Sequence, residues 1–100
     1  MTSANPVRGE LSLVLGDAAL RLRPSFSALV AAEGEVGSLF RLLERAGAGD
    51  VKLSEMVALF WHCLCERPCE RAEFEERVLA TGPLALLLPY RTLLAAIFGG

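Results

Sequence analysis

The residues with the greatest capacity for chemistry lie together in one segment, WHCLCERPCE, at positions 61 to 70. It holds all three cysteines of the chain, its single histidine and its single tryptophan. Cysteine and histidine bind soft metals, and thiols also form disulfides or act as nucleophiles. The segment is therefore the first candidate for a metal, redox or nucleophilic site.

The helical positions of these residues argue against one shared site. At about 100° per residue, Cys63 projects onto a buried apolar stripe, whereas His62 and Cys65 project to the opposite side. Cys69 could fold back after Pro68 to join them, which leaves a zinc ion without a fourth ligand. A C-x-x-C redox pair is absent. The pattern favours a core helix with incidental thiols, and a thiol- or metal-responsive regulator built on His62, Cys65 and Cys69 remains an alternative.

The other polar groups of the chain do not form a recognisable reaction site. Glu73, Glu75 and Glu76 fall on an amphipathic helix, where clustered carboxylates are usually a solvated face. The segment GAGD, at 47–50, lacks the preceding strand and the further glycine of a phosphate-binding loop. We therefore expect no enzymatic activity, no cofactor, no bound metal and no small-molecule substrate.

Composition and charge narrow the classes of partner. The 100 residues suffice for one domain, and 53% of them are hydrophobic, with a mean hydropathy of +0.43. A small domain this apolar is expected to leave apolar surface that a partner, or a second copy of the chain, covers. The net charge is −2 and the arginines are scattered, which argues against nucleic-acid binding.

The two ends of the chain indicate a cytoplasmic protein. The first ten residues, MTSANPVRGE, lack the apolar core of a signal peptide. The most apolar tract, PLALLLPYRTLLAAIFGG, is interrupted by Pro89 and Arg91 and falls short of the roughly 20 apolar residues of a membrane span. We expect neither secretion nor a membrane anchor, and cytoplasmic cysteines are normally reduced.

Local patterns predict an α+β fold that is mainly α. Leucines alternate with other residues on both sides of Gly16-Asp17, which is typical of a β-hairpin with one leucine face. A two-stranded hairpin is marginal alone, so this face must pack on the helices. The prediction is one domain over 1–100, with a flexible arm at 1–9, a hairpin at 10–23 and a body of four to five short helices at 25–98.

Capping residues and breakers divide this helical body. Ser25 and Ser38 are expected to cap the first and second helices. Asp50 or Ser54 should cap the third, which runs to about Arg67 because proline follows. The predicted apolar faces are, for the first helix, Phe26, Leu29, Val30 and Val36, and for the fourth helix, at 69–81, Phe74, Val78 and Leu79.

The last segment is apolar on nearly every side, which is typical of a helix that is central to the core or that also forms an interface. Gly82 is the expected C-cap of the fourth helix. Pro89 should either kink the last segment or split it into a short turn and a helix from about 89 to 98. We predict a partner-binding surface on this helix, formed by Leu87, Tyr90, Leu94 and Phe98.

The order of several short motifs resembles the gene transfer agent family of phage tail assembly chaperones. The motifs begin with RGE at 8–10, which opens the hairpin, and LRLRPSFSALVAAE at 20–33. GSLFRLLERAGAGDVKLSEMVALFW follows at 37–61, and Gly82 separates the last two helices. The resemblance covers about residues 7 to 98. His62, the three cysteines and Pro89 are not part of the family pattern.

This resemblance implies a small, non-enzymatic protein from the tail gene cluster of a phage or gene transfer agent. Such chaperones are thought to coat the tape measure protein and to bring tail tube subunits to it. Some family names instead describe a tail tube protein, so a structural tail component that ends up in the particle is the alternative. Either role is carried by protein–protein contacts, which agrees with the surplus of apolar residues.

Overall fold

The structure, a computed structural model, describes residues 10–99 and has a two-stranded antiparallel sheet and five α-helices. The strands are β1 (Leu11–Leu15) and β2 (Ala18–Leu22), and the helices are α1 (Phe26–Val36), α2 (Leu39–Gly47), α3 (Leu53–Cys63), α4 (Arg71–Thr81) and α5 (Leu87–Ile97). A short 3₁₀ helix, Pro83–Leu86, precedes α5. The predicted α+β, mainly α class is confirmed, and the predicted arm at 1–9 lies outside the described residues.

The hairpin forms at the predicted turn, Gly16-Asp17. The φ angle of Gly16 is 61°, in the left-handed region that glycine adopts without strain. The register places Leu13 opposite Leu20, so the leucines of both strands share one face of the ribbon. Leu13 and Leu22 are buried at 0% and 1% exposure, and this face packs on the helical body. The period of two therefore identified the buried side correctly.

Helix α3 lies at the centre of the core. Its buried side chains extend almost around the helix because α1 and α4 pack against it and α5 supplies a further contact. The ring of Phe60 meets that of Tyr90 edge to face, with 6.1 Å between centroids, and Trp61 contacts Phe74 with 5.5 Å between centroids. The buried residues of α3 are Met56, Val57, Ala58, Leu59, Phe60 and Cys63.

The third helix ends at Cys63, earlier than predicted. The next residue, Leu64, forms an isolated antiparallel bridge with Leu22 of β2. The N–H of Cys65 donates to the carbonyl oxygen of Arg21 over 2.9 Å. Hydrogen bonding to the outer edge of the hairpin thus replaces the last predicted turn of the helix, and the proline that follows is not what ends it.

The serine caps of the first and second helices were predicted correctly, whereas the prediction for the third helix was wrong. Ser25 accepts a hydrogen bond at the start of α1, and Ser38 does so at the start of α2, each over 3.2 Å. Helix α3 begins after Lys52, and no side chain in the described part of the chain, 10–99, caps it. Asp50, one of the two predicted caps, instead accepts from Nε of Arg45 over 2.9 Å.

The apolar face of α1 differs from the prediction. Phe26 is 83% exposed and Val30 is 52% exposed, so these two residues do not face the core. Ala32 is fully buried, and Leu29 and Val36 are partly buried against the core. Because apolar residues surround this helix, several orientations satisfy its pattern, and packing against α3 selects the one through Ala32.

The end of α4 and the start of α5 also refine the prediction. Phe74 and Val78 are buried as expected, but Leu79 is 55% exposed. Gly82 ends α4 with a φ of 104°, as predicted for a C-cap. Pro89 lies in the first turn of α5, where backbone N–H groups have no partner within the helix, so it does not end the helix. A short turn followed by a helix is observed, as in one of the two predicted outcomes, but the helix begins at Leu87 and not at Pro89.

Candidate functional site

The thiol and imidazole groups do not come together as one site. Cys63 is buried, Cys65 is exposed, Cys69 is intermediate, and all three are free thiols. His62 is engaged elsewhere, because its Nε2 lies 2.9 Å from Oε1 of Glu35. Between residues 10 and 99, no group of three or more histidine, cysteine, aspartate or glutamate side chains is arranged to hold a metal ion.

The three thiols differ in chemistry because they differ in burial. Desolvation raises the pKa of Cys63 from 9.0 to about 12, so this thiol stays protonated at neutral pH. A protonated, buried thiol is a poor nucleophile and metal ligand and behaves as a small apolar side chain. The interpretation of Cys63 as a core residue is therefore confirmed by its 1% exposure.

Replacing Cys63 with serine should destabilise the fold, because the hydroxyl is more costly to bury than the thiol. We expect a loss of about 1–3 kcal/mol in the free energy of unfolding. Cys65→Ser is the matched control, since its side chain is exposed and its backbone hydrogen bond to Arg21 is retained. Thermal melts of both variants measure the difference, and equal losses would contradict the assigned orientations.

Glu35 joins the ends of three helices on one side of the molecule. From the end of α1, its carboxylate accepts from His62 of α3 over 2.9 Å. It also accepts two hydrogen bonds from the guanidinium of Arg71 at the start of α4. The bonds from Arg71, and then that from His62, lower the pKa of Glu35 from 4.5 to about 2. The carboxylate thus stays charged through ordinary acid conditions.

Replacing Glu35 with glutamine should weaken the fold at neutral pH, and the difference from the parent should fade in acid. A lowered pKa in the folded state gives stability that is present above pH 4.5 and is lost as the pH falls through about 2. The carboxylate side chain is 38% exposed, so screening keeps the effect below about 1 kcal/mol. Urea unfolding of both proteins across this range tests the prediction, and a difference independent of pH would contradict it.

The four residues predicted to bind a partner do not form one surface. Tyr90 and Leu94 are 1% and 0% exposed, because α5 packs this face against the core. Leu87 is half-buried, and Phe98 is 43% exposed with its ring edge-to-face against Phe40, 5.5 Å between centroids. The structure thus corrects the set to Leu87 and Phe98, for which partner binding stays a prediction.

A different set of apolar side chains reaches the surface. Nine large hydrophobic residues between 10 and 99 are at least 43% exposed. Three of them, together with Leu87, line one groove, which we call the leucine groove and define by Leu53, Leu79, Leu84 and Leu87. The others are Val14, Phe26, Val30, Phe40, Leu88 and Phe98.

The leucine groove consists of two adjoining depressions of about 580 and 270 Å³ that share Leu53. In the larger one, Leu53 and Val57 of α3 face Leu79 of α4. In the smaller one, Leu84 and Leu87 continue the apolar surface toward the start of α5. The two depressions together expose leucines from α3, α4 and the 3₁₀ helix along one side of the helical body.

One end of the leucine groove is acidic. Among residues 10–99, Glu35, Glu75 and Glu76 line the larger depression together with one cation, Arg71. Nε of Arg71 lies 3.4 Å from Oε2 of Glu75, so this arginine is shared between two of the three carboxylates. Three negative charges and one positive charge leave this rim, which we call the acidic rim, with a net charge of −2. The groove therefore combines apolar walls with a negative end.

The sequence contained a signal for this groove, but it was ambiguous. Val78 and Leu79 are adjacent apolar residues on the amphipathic helix α4, and neighbours on a helix point about 100° apart. Only one of the two can face the core centre, and the structure buries Val78 and exposes Leu79. Which residue turns outward depends on how α4 sits on α3, and the pattern of α4 alone leaves that choice open.

The helices are short for membrane spans. Within residues 10–99, no single helix is long and apolar enough to cross a membrane. Helices Arg71–Thr81 and Pro83–Ile97 reach the required length and composition only as a pair, and the two are bent by 98° with respect to one another.

Comparisons with known proteins place the chain beside a family of tail proteins. A family model described as "Phage tail tube protein, GTA-gp10" matches residues 8–100. The match includes all the strands and helices described above. A search of curated proteins gave no significant match, and neither did a search of solved structures.

Proposed function

Because the chain belongs to the phage tail protein family described as "Phage tail tube protein, GTA-gp10", we propose that it is a tail assembly chaperone. In this role it binds the tape measure protein, tail tube subunits or both while a phage or gene transfer agent tail is built. It works without enzymatic activity, through protein–protein contacts in the cytoplasm of the bacterial host.

The leucine groove is the observation that carries this proposal. Tape measure proteins are long and largely helical, and a protein that keeps such a chain soluble needs apolar surface for its helices. Leu53, Leu79 and Leu84 are 43%, 55% and 82% exposed in two depressions that adjoin at Leu53. A small domain that keeps large leucines exposed side by side has the surface expected of a binding protein.

Co-expression with the neighbouring tail genes tests the proposal. A tagged chain should retain the tape measure protein or the tail tube protein through purification, and it should raise the soluble fraction of the tape measure protein. A strain that lacks this gene should make few or no complete tails. Normal tails in that strain, with neither protein retained by the tagged chain, would reject the proposal.

A structural role in the finished tail is the second candidate, and the family description favours it because it names a tail tube protein. The two roles differ in where the protein is found at the end of assembly. Mass spectrometry of purified particles separates them, since a chaperone is absent from mature tails. A fixed, multiple copy number per particle would establish the structural role instead.

A further inference from the structure

We propose that the leucine groove binds an amphipathic helix of a partner protein, with an apolar face along the groove and lysine or arginine at the end that meets the acidic rim. The inference deepens the proposed function and rests on it for the biological identity of the partner. The chemistry of the partner helix follows from the groove itself.

The residues that line the two walls of the groove recur at four-residue steps along α3 and α4. Arg71, Glu75 and Leu79 follow one another at four-residue steps and line one side from α4. Leu53 and Val57, also four residues apart, line the other side from α3. From Arg71 to Leu79 the α4 wall is about 12 Å long, which matches a little over two turns of a bound helix.

The apolar content of the groove determines which face of the helix enters it. Leu53 and Leu79 project from opposite walls, and Val57 forms the floor at 5% exposure. Leucine-like residues at i, i+3, i+4 and i+7 of a bound helix would cover these side chains together. Such a stripe buries the exposed leucines, which is the main favourable contribution to binding.

The charge of the acidic rim determines which charged residues the partner helix should carry. Counted over residues 10–99, the acidic rim carries a net charge of −2, and Arg71 within it is paired with Glu35 and Glu75. Among residues 10–99, no cation lies within ion-pair distance of Glu76, which is exposed at the edge of the groove. A lysine or arginine on the bound helix would complement this rim, whereas a carboxylate there would be repelled.

The rim also defines a polarity for binding. Of the residues between 10 and 99, none that lines the smaller depression around Leu84 and Leu87 is charged, and all three carboxylates belong to the larger one. A bound helix should therefore place its basic residues at one end and remain apolar at the other. This asymmetry distinguishes the proposal from non-specific hydrophobic binding, which has no preference for the charge of the helix or for its orientation in the groove.

Designed peptides test the charge requirement directly. The first probe, the lysine peptide, is a helical peptide of leucine and lysine with all leucines on one face. The second, the glutamate peptide, has glutamate in place of lysine. The third has the same composition as the first, in a scrambled order that no longer places the leucines on one face of the helix. Fluorescence anisotropy should show the lysine peptide binding at least about tenfold tighter than the other two at low salt. Raising the salt to about 0.5 M should reduce the difference in affinity between the lysine peptide and the glutamate peptide.

Variants of the protein test whether the lysine peptide binds in the leucine groove. Leu79→Lys and, separately, Leu53→Lys should weaken binding of the lysine peptide by about tenfold or more. Leu88→Lys is the matched control, because Leu88 is 74% exposed, lies outside the groove and receives the same charge. It should leave binding within about twofold of the parent. Circular dichroism of each variant checks that the fold is retained.

A variant in which two carboxylates are neutralised distinguishes the contribution of the acidic rim to binding from that of the apolar walls. Glu75→Gln combined with Glu76→Gln should weaken the lysine peptide by about threefold to tenfold and remove most of its salt dependence. Equal binding of the lysine and glutamate peptides would overturn the proposal, and so would an equal loss in Leu79→Lys and Leu88→Lys. Light scattering that shows a dimer of the parent and a monomer of Leu79→Lys would assign the groove to a second copy and also overturn it.

These outcomes remain distinct from a failure of the proposed function. If the lysine peptide binds the groove and no tail protein is retained in co-expression, the groove is a helix site and the tail role is wrong. If tail proteins are retained equally by the parent and by Leu79→Lys, the tail role stands and the groove is not its binding surface.

Discussion

Phe60→Ala should produce the largest loss of stability of any single substitution considered for this protein. Phe60 is fully buried on α3, with its ring edge-to-face against Tyr90 of α5. Truncation removes the apolar contacts and leaves a cavity among surrounding helices that cannot all collapse into it. We expect a cost of about 3–5 kcal/mol. For a domain of 100 residues this corresponds to a fall in Tm of roughly 15–30 °C.

Phe26→Ala is the control for this experiment, because it deletes the same side chain from another helix. Phe26 is 83% exposed at the first position of α1, so its truncation opens no cavity. We expect a change within about 0.5 kcal/mol. Similar Tm values for the two variants, measured by calorimetry, would mean that the helices pack differently from the described structure.

Leu13→Ala should give the second largest effect and tests how the hairpin docks. Leu13 is fully buried on the leucine face of β1, where it packs against the helical body. The hairpin depends on this face, since two strands alone are marginally stable in water. We expect a loss of about 2–5 kcal/mol in the free energy of unfolding, measured by chemical denaturation.

The neighbouring residue provides the matched control for the hairpin. Val14 points to the opposite face of β1 and is 55% exposed, so Val14→Ala should cost less than about 1 kcal/mol. A shift of one residue in strand register would exchange the two faces and reverse this order. A larger loss for Val14→Ala than for Leu13→Ala would therefore show that the register is wrong.

Several features of the fold were predictable because they are encoded locally. The hairpin follows from alternation with a period of two and from Gly16, and both operate over a few adjacent residues. Ser25, Ser38 and Gly82 mark helix ends through hydrogen bonds or backbone angles within one turn. The order of short motifs also pointed to a family of tail proteins, which the family match over residues 8–100 supports.

The prediction of exposed residues was less successful, and the reason is geometric. Apolar residues surround α1 and α5, so their patterns allow several faces to be buried. Tyr90 and Leu94 were predicted to meet a partner, yet they face the core because α5 packs against α3 and α2. Phe26 shows the converse, an aromatic residue expected in the core and left at the surface.

The sequence alone thus determined the kinds of elements, most of their boundaries, and a chain with more apolar residues than a small core can bury. Tertiary structure decided the end of α3, where Leu64 joins β2, because that bridge links residues far apart along the chain. Tertiary structure also decided where the surplus apolar residues lie, since Leu53, Leu79 and Leu84 come from three different elements. Period and capping act within single elements, whereas a groove and its acidic rim exist only once those elements are placed side by side.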